Sequence, residues 1–339
     1  MQLLQSQLPW TEEQWNQVDE SIRAEACKVR VARLFLPIDG PYPRDAETVS
    51  LQEVRQEDTG ETRALSELAD YLRRQGNQGA SNLPRVLRGL ESEVREVEHS
   101  ARRMRGESQE RLLVDATRTR PLTKISVNVY LKSAQVEQQD LYDAHILFRR
   151  AANFIARVED RIVFGGQPCA SPDPRLFGIQ PYVYRVSGGE QFRGLIAEAV
   201  NAGQHTVIRR GAPTENLVTA VAQAISDLEN EGHLGPFGLV LGSNLFVMAH
   251  TPSSSLVLPA DRIKPLLGEG GALLRSTTID EDEGVLVSLA ADLVDLVVAS
   301  DISAKYLQST LEPRHVVRVS ERITLRVKQP RAIMAFVPN

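Results

Sequence analysis

The sequence predicts a globular protein that mixes helices and strands, of either the α/β or the α+β class. Apolar residues recur at helical spacing over residues 12–35 and 140–164, which indicates two long helices. Strict alternation of apolar and polar residues at 122–131 and 323–328 indicates half-buried strands. The chain has 339 residues, 42% of them hydrophobic. That length predicts about two domains with full cores.

Composition excludes several classes of protein. The formal charge of −5 and the pI near 5.8 disfavour binding to DNA or to an anionic membrane. The two cysteines, Cys27 and Cys169, have no CxxC partner, so a disulfide framework or a thiolate metal site is not expected. The first residues lack the pattern of a signal peptide, and the apolar run 284–299 is interrupted by two aspartates. We therefore expect a cytoplasmic protein without a membrane span.

The first predicted element is a helix over about residues 12–35. Thr11 and Gln14 have the spacing of a capping box, and both tryptophans of the chain stand at the positions of a hydrophobic staple. Pro37 stops the helix. The helix could dock on its own domain, or it could pack against another subunit or a ligand peptide.

The next segment, residues 45–121, is predicted to be a long excursion from the core. It is polar and rich in Gln, Glu and Arg as far as residue 80. A helix with a heptad seam is predicted over 83–104, paired with a second helix through Leu112 and Val114 or with its own copy on a neighbour. Its mixed Arg and Glu residues indicate a solvated face rather than an RNA-binding stripe.

The rest of the chain alternates strands and helices after the strand at 122–131. A spine helix is expected over about 140–164, and the run Glu159-Asp160-Arg161 at its end is interpreted as a surface or interface ion pair rather than a catalytic pair. Further helices are predicted at 192–202, 214–228 and 262–267, and strands at 237–241, 273–279, 285–289, 293–299, 316–319, 323–328 and 332–337.

The sequence offers no catalytic or metal-binding motif. The six histidines are scattered without ligand spacing, and no GxSxG nucleophile elbow occurs. The glycine cluster 268–271 lacks the Lys-Ser/Thr of a phosphate loop and predicts a turn. A soluble hydrolase is therefore an alternative without a readable site.

Five segments, in order, resemble the encapsulins, the bacterial and archaeal shell proteins of nanocompartments that load peroxidases or ferritins, also called the bacteriocin-linocin-like family. The segments are Pro9–Asp19 with Gly40–Tyr42, Arg120–Leu122, Phe154–Gly166, Gly235–Val240, and Glu321–Val327 with Pro330–Ile333.

This resemblance implies an α+β protein with the tailed-bacteriophage major-capsid fold. It implies an N-terminal arm and helix (1–44), an extended loop (45–121) with a helical insertion at about 82–117, a peripheral domain (122–212 and 301–339) and an axial domain (213–300). Such a protein is not an enzyme. It assembles with itself into a closed icosahedral shell that sequesters a ferritin-like protein or a dye-decolourising peroxidase through a short targeting peptide.

The resemblance also implies two sites. A cargo-peptide groove is expected between the N-terminal helix and the peripheral domain, unless its residues only close the subunit core: Ile22, Ala26, Val29, Arg33, Ile38, Ile323 and Leu325. A pore loop is expected after Phe246, near the five-fold axis, and its residues are His250, Thr251, Ser253, Ser254 and Ser255.

Two departures from the family pattern matter. The extended loop is longer than usual, and a second insertion adds prolines at about 168–190. Some members stack a flavin on an aromatic residue after the returning strand, but Lys132–Gln135 stands there, so no cofactor is predicted. A phage or prophage major capsid protein is the alternative. The acidic charge and the capped helix at the start favour a protein-filled shell over a DNA-filled one.

Overall fold

The computed structural model describes residues 8–43, 46–57, 111–166, 183–189, 193–209, 214–252, 257–309 and 314–339. Its helices are α1 (Glu12–Val29), α2 (Ser133–Val136), α3 (Tyr142–Gly165), α4 (Leu195–Asn201), α5 (Thr214–Asn230), α6 (Ser243–Ala249) and α7 (Pro259–Ile263). Short 3₁₀ turns occur at Ala32–Leu34, Lys264–Leu267, Ala290–Asp292 and Pro330–Ala332. The mixture of helices and strands confirms the α+β class.

The strands form two five-stranded sheets and two two-stranded sheets, in which β2 pairs with β5 and β3 with β4. They are β1 (Ile38–Asp39), β2 (Thr48–Ser50), β3 (Glu53–Glu57), β4 (Arg111–Asp115), β5 (Thr119–Pro121), β6 (Thr123–Lys132), β7 (Tyr184–Ser187), β8 (His205–Ile208), β9 (Phe237–Leu241), β10 (Ala272–Arg275), β11 (Gly284–Ser288), β12 (Val294–Ser309), β13 (Arg314–Val327) and β14 (Ile333–Pro338). The first sheet has the order β1-β12-β13-β6-β7 and the second β10-β9-β11-β14-β8.

The chain divides into two compact units. The main unit comprises residues 1–51 and 119–339, and the second comprises 52–118. In the described part of the second unit, β3 and β4 pair as an antiparallel two-stranded sheet. A helix through Leu112 and Val114 was the wrong prediction, because these residues lie in β4 and pair with β3. The predicted heptad helix at 83–104 lies outside the described residues.

The two longest helices of the main unit, α1 and α3, form its core together with the first sheet. Helices α1 and α3 pack against each other and against one face of the first sheet, where Ile125, Val127 and Leu131 of β6 are buried. The capping box of Thr11 and Gln14 is present at the start of α1. The helix ends at Val29, six residues earlier than predicted, and a separate 3₁₀ turn follows.

The tryptophan staple ties α1 to the same core. The rings of Trp10 and Trp15 lie 4.8 Å apart in an edge-on arrangement, and Trp10 Nε1 donates a hydrogen bond of 3.0 Å to the carbonyl of Val136. Both tryptophans are buried in the main core cluster. The helix therefore docks on its own subunit along its apolar face, which was the first of the two alternatives.

Candidate functional site

The candidate site lies where the C-terminal end of α1 meets the spine helix α3 and the loop after β10. Of the seven predicted groove residues, Ile22, Ala26, Ile323 and Leu325 are completely buried in the core. A side chain without exposed surface supports the walls of a site but offers nothing for a ligand to touch. The three remaining groove residues lie after Ala26.

These three residues differ in their exposure. Val29 is half-buried, Ile38 is 55% exposed, and the Arg33 side chain is 13% exposed and held in ion pairs. Leu34 was not among the predicted residues and is 62% exposed. Leu34 and Ile38 therefore provide exposed apolar surface, of the kind on which an apolar partner can pack.

A cleft of about 550 Å³ opens beside this apolar surface. Val29 and Leu34 contribute its apolar lining, and Lys28, Arg157 and Arg275 contribute positive charge. Sequence reasoning missed Lys28, Leu34, Arg157 and Arg275, since no local pattern relates positions on α1, α3 and β10. Apart from Val31, the remaining lining side chains are polar or charged, so the cleft offers a small apolar patch within a largely polar border.

The wall of the cleft formed by residues 276–278 is fixed by hydrogen bonds. The hydroxyl oxygens of Ser276 and Thr278 lie 2.7 Å apart, and Arg161 of the spine helix donates to the carbonyl of Thr278 at 2.6 Å. The guanidinium of Arg275 lies over the ring of Phe246, 5.7 Å from its centre. The cleft is thus bordered by elements that the fold holds in place.

Beneath the cleft lies a buried network of ion pairs. Arg33 Nε lies 2.5 Å from Glu159 Oε1, and another Arg33 nitrogen donates to Glu321 Oε2 at 3.2 Å. Arg30 pairs with Glu321 and lies 2.6 Å from Glu159 Oε2, at an ion-pair distance without the alignment of a hydrogen bond. Both glutamates are completely buried. The interpretation of Glu159-Asp160-Arg161 as a surface ion pair was therefore wrong for Glu159.

The pKa values of the two glutamates are shifted in opposite directions. Burial alone would raise the pKa of Glu159, but the charges of Arg30 and Arg33 outweigh it and the pKa is lowered. Burial, together with the negative charge of Glu159, raises the pKa of Glu321 well above its usual range. The charges of Arg30 and Arg33 thus favour the ionised form of Glu159 more than that of Glu321.

Asp160 has a separate role at the end of α1. Its carboxylate accepts hydrogen bonds from the backbone N–H groups of Val31 and Ala32 at 2.8 and 2.9 Å. These bonds fix the turn after α1, and they explain why the helix does not continue to residue 35. Burial raises the pKa of Asp160 to about 7, and the charge of Glu159 contributes in the same direction.

The predicted pore residues lie partly at the end of α6. Phe246 belongs to this helix, so the loop begins after Ala249 rather than directly after Phe246. The His250 ring lies 4.2 Å from that of Phe246, and Thr251 donates to the carbonyl of Val247 at 2.8 Å. Ser253, Ser254 and Ser255 lie outside the described residues.

Within the described residues, no three His, Cys, Asp or Glu side chains come together as a metal site requires. In that same part of the chain, no helix is long and apolar enough to cross a bilayer.

Comparison with known protein families assigns the chain to one of them. The sequence model of Linocin_M18, described as "Encapsulating protein for peroxidase", matches residues 1–106 and 183–324, well over half of the chain. The chain belongs to the encapsulin family. The matching model is that of proteins that encapsulate a peroxidase, and the curated relative described next is named as a shell protein.

A curated relative supports the assignment. The type 1 encapsulin shell protein EncA of Myxococcus xanthus (strain DK1622) is 33% identical over 115 residues, which cover 34% of this encapsulin and 39% of EncA. The match thus spans about two fifths of the length of that relative.

Solved structures confirm the capsid-like fold. The virus-like particle from Pyrococcus furiosus has a TM-score of 0.61 at 14% identity, covering 96% of this encapsulin and all of that chain. The capsid of the Myoviridae phage XM1 has a TM-score of 0.50 at 10% identity, covering 89% and 90% of the two chains. The fold is therefore common to encapsulins and phage capsids, and the family match distinguishes between them.

Proposed function

We propose that this encapsulin assembles with itself into a closed, capsid-like particle that encloses a cargo enzyme, a dye-decolourising peroxidase or a ferritin-like protein. The observation that carries this proposal is the cleft at the end of α1, which combines exposed apolar side chains with a rigid border. The description of the matching family as encapsulating a peroxidase favours the first cargo. In this role the shell itself has no catalytic residues and needs no cofactor.

The cargo carries a short targeting peptide that binds at the cleft. Val29 and Leu34 line the cleft and contact apolar side chains of the peptide, and the exposed Ile38 extends this contact beyond the cleft. Arg33 does not line the cleft and acts from beneath through its ion pairs with Glu159 and Glu321. Ile22, Ala26, Ile323 and Leu325 act from beneath, because they hold α1 against the sheet. Sequestering a peroxidase or a ferritin-like protein in the cytoplasm serves defence against oxidative stress or iron storage.

Co-expression with a cargo enzyme tests this proposal. A fluorescent protein bearing the C-terminal peptide of the cargo should co-purify with wild-type particles. Leu34→Asp should reduce the co-purifying fluorescence roughly tenfold or more, since burying an unpaired carboxylate against apolar groups is costly. Leu266→Asp, at an exposed leucine outside the cleft, is the matched control. Equal loading of Leu34→Asp and wild-type particles would contradict the proposed site.

The second part of the proposal concerns the pore. Residues 250–255 follow α6 and carry no charge besides that of a protonated His250. We assign this loop to the axial domain, residues 213–300, where copies meet near the five-fold axis. A ring of added carboxylates would bind cations and repel anions. Ser254→Asp should therefore change the rate at which small ions enter an assembled particle, and an unchanged rate would exclude this loop as the pore.

A further inference from the structure

The cleft beside the end of α1 carries positive charge that apolar packing does not use. Its lining residues come from three segments: 28–34 at the end of α1, 153–160 of α3, and 275–278 at the end of β10. The apolar lining residues all belong to the first segment, whereas Arg157 and Arg275 belong to the other two. The cleft therefore combines an apolar patch on one segment with cationic side chains on two others.

Cations outnumber anions around the cleft. Four of the described side chains that line it are cationic, and Asp160 is the single acidic one among them. Arg30 is held by the two buried glutamates beneath the cleft. We call the other three the cationic group, and its members are Lys28, Arg157 and Arg275. A ligand that enters the cleft therefore meets an excess of positive charge.

Asp160 does little to neutralise the cationic group. Both of its oxygens are engaged, because Oδ2 accepts from the backbone N–H of Val31 and Oδ1 from that of Ala32. Burial raises the pKa of Asp160 to about 7, so at pH 7 about half of the molecules carry no charge at this position. The positive charge of the cleft is thus left for a ligand.

The surroundings of Arg157 are themselves positive. Burial lowers the pKa of Arg157, and the charge of Arg150 lowers it further. Arg150 lies about two turns away on the same helix, with its guanidinium 4.7 Å from the centre of the Phe154 ring. Charge on the half-buried Arg157 is costly, so an anion that binds beside it is favoured.

Arg275 and Lys28 contribute in different ways. The guanidinium of Arg275 lies over the ring of Phe246, a contact that uses its charge but none of its N–H donors. The Lys28 side chain is 71% exposed, and its pair with Glu25 at 3.3 Å is a weak contact screened by solvent. A guanidinium binds a carboxylate through two parallel hydrogen bonds, whereas an ammonium acts as a point charge. The two arginines are therefore the specific ligands, and Lys28 adds attraction.

A carboxylate is the anionic group that a peptide partner offers to arginines. We propose that the cleft selects targeting peptides that carry a carboxylate next to their apolar residues, and that Arg157 and Arg275 bind this group. The carboxylate belongs to an Asp or Glu side chain or to the C-terminus of the peptide. This selection rests on the proposed binding of a targeting peptide at the cleft, to which it adds a charge requirement.

Fluorescent reporters with four tails test the charge requirement by co-expression with the shell. The first tail is the C-terminal peptide of the cargo. The second has its Asp and Glu residues replaced by Asn and Gln, the third has ten Gly-Ser residues appended to move the terminal carboxylate away, and the fourth has both changes. The fourth tail should load roughly tenfold less fluorescence per particle than the first. The single change that reproduces this loss identifies the carboxylate, and equal loading of all four tails would overturn the proposal.

Shell variants supply the reciprocal test. R157E/R275E should load the first tail roughly tenfold less than wild type, and should load a tail with lysine in place of the identified group better than wild type does. The milder R157Q/R275Q should form particles, measured by size-exclusion chromatography with light scattering, and should load the first and fourth tails equally. The matched control R23E/K264E, two reversals at exposed positions that do not line the cleft, should load like the wild type.

The Leu34→Asp variant separates this proposal from the one on which it rests. Loss of loading in Leu34→Asp, together with the same preference among tails in R157Q/R275Q as in wild type, would overturn the carboxylate requirement and leave the peptide site in place. Unchanged loading in Leu34→Asp and in R157E/R275E would overturn both.

Discussion

At the scale of single residues, the buried ion network is the feature that the sequence conceals most. Glu159 is 126 residues from Arg33, and Arg30 is 291 residues from Glu321. A local pattern shows that a charged residue ends an apolar helix, but it does not show which distant residue covers it. Charged residues are seldom completely buried, so a surface position was the natural interpretation. The two glutamates are nevertheless buried, because each carboxylate forms an ion pair with an arginine.

The raised pKa of Asp160 predicts a pH-dependent contribution to stability. In the unfolded chain this group titrates near pH 4, and in the folded subunit near pH 7. The folded state therefore binds the proton more tightly, so the contribution is present at low pH and is lost as the pH rises from about 4 to about 7. The melting temperature of wild-type particles minus that of Asp160→Asn should decrease over this range.

A constant offset is also expected for this variant. The amide that Asp160→Asn introduces has a single carbonyl oxygen, so one of the two bonds to Val31 and Ala32 is lost at every pH. Glu20→Gln, which removes an exposed carboxylate from α1, is the control. A difference between wild type and Asp160→Asn that does not vary with pH would refute the assignment.

At the scale of elements, regular periodicity is predictable and its interruption is not. The sequence predicts α3, β6 and β9 within about two residues at each end, and it predicts the start of α1 but not its end, because each follows one period throughout. β12 was predicted only for 293–299, but it runs to Ser309. Irregular register between 298 and 303 disturbs the alternation and hides the continuation.

The candidate site shows the same limit. The family resemblance places Ile22, Ala26, Ile323 and Leu325 in one groove, and in the structure all four belong to one core cluster. Periodicity identifies the apolar face of an element but not the neighbouring element that packs on that face. The four residues are therefore buried beneath the cleft and do not line it. The exposed Leu34 belongs to a turn that the acceptor Asp160 creates, and that acceptor comes from another helix.

A close contact between two elements gives a prediction about packing. A Cβ atom on Gly238 of β9 would lie 2.5 Å from Cδ2 of Phe35, whose ring stacks on Phe164. Gly238→Ala should lower the free energy of unfolding by about 1–3 kcal/mol, seen as a lower melting temperature. Phe35→Leu in the same chain should recover part of the loss. A double variant no more stable than Gly238→Ala would show that this contact does not limit packing.

At the scale of the whole molecule, the order of segments indicates the family, but the sheets join residues that lie far apart in sequence. β14, at the end of the chain, lies between β11 and β8 in the second sheet. β1 pairs in parallel with β12. No local pattern encodes these pairings, so the resemblance to a known fold was needed to reach the architecture.

The separation of the second unit predicts the result of a deletion. Among the residues of this unit whose side chains the structure describes (52, 53, 114 and 116–118), none belongs to the core clusters. Replacing residues 58–110 with a short Gly-Ser linker should therefore leave the circular dichroism and melting temperature of the main unit unchanged. Particle formation should fall roughly tenfold or more, because losing about 1.4 kcal/mol per contact already weakens association tenfold. Loss of cooperative melting would show instead that the main unit depends on this segment.

The edge strands of the two five-stranded sheets bear on aggregation, which matters for a protein proposed to assemble from many copies. The outermost strands are β1, β7, β8 and β10, with two or four residues each. Such short borders present few unpaired backbone groups, so they are poor templates for adding a strand from another chain. Subunits that meet during synthesis are thereby protected from fusing into continuous cross-β aggregates, and they remain free to find contacts that close a shell.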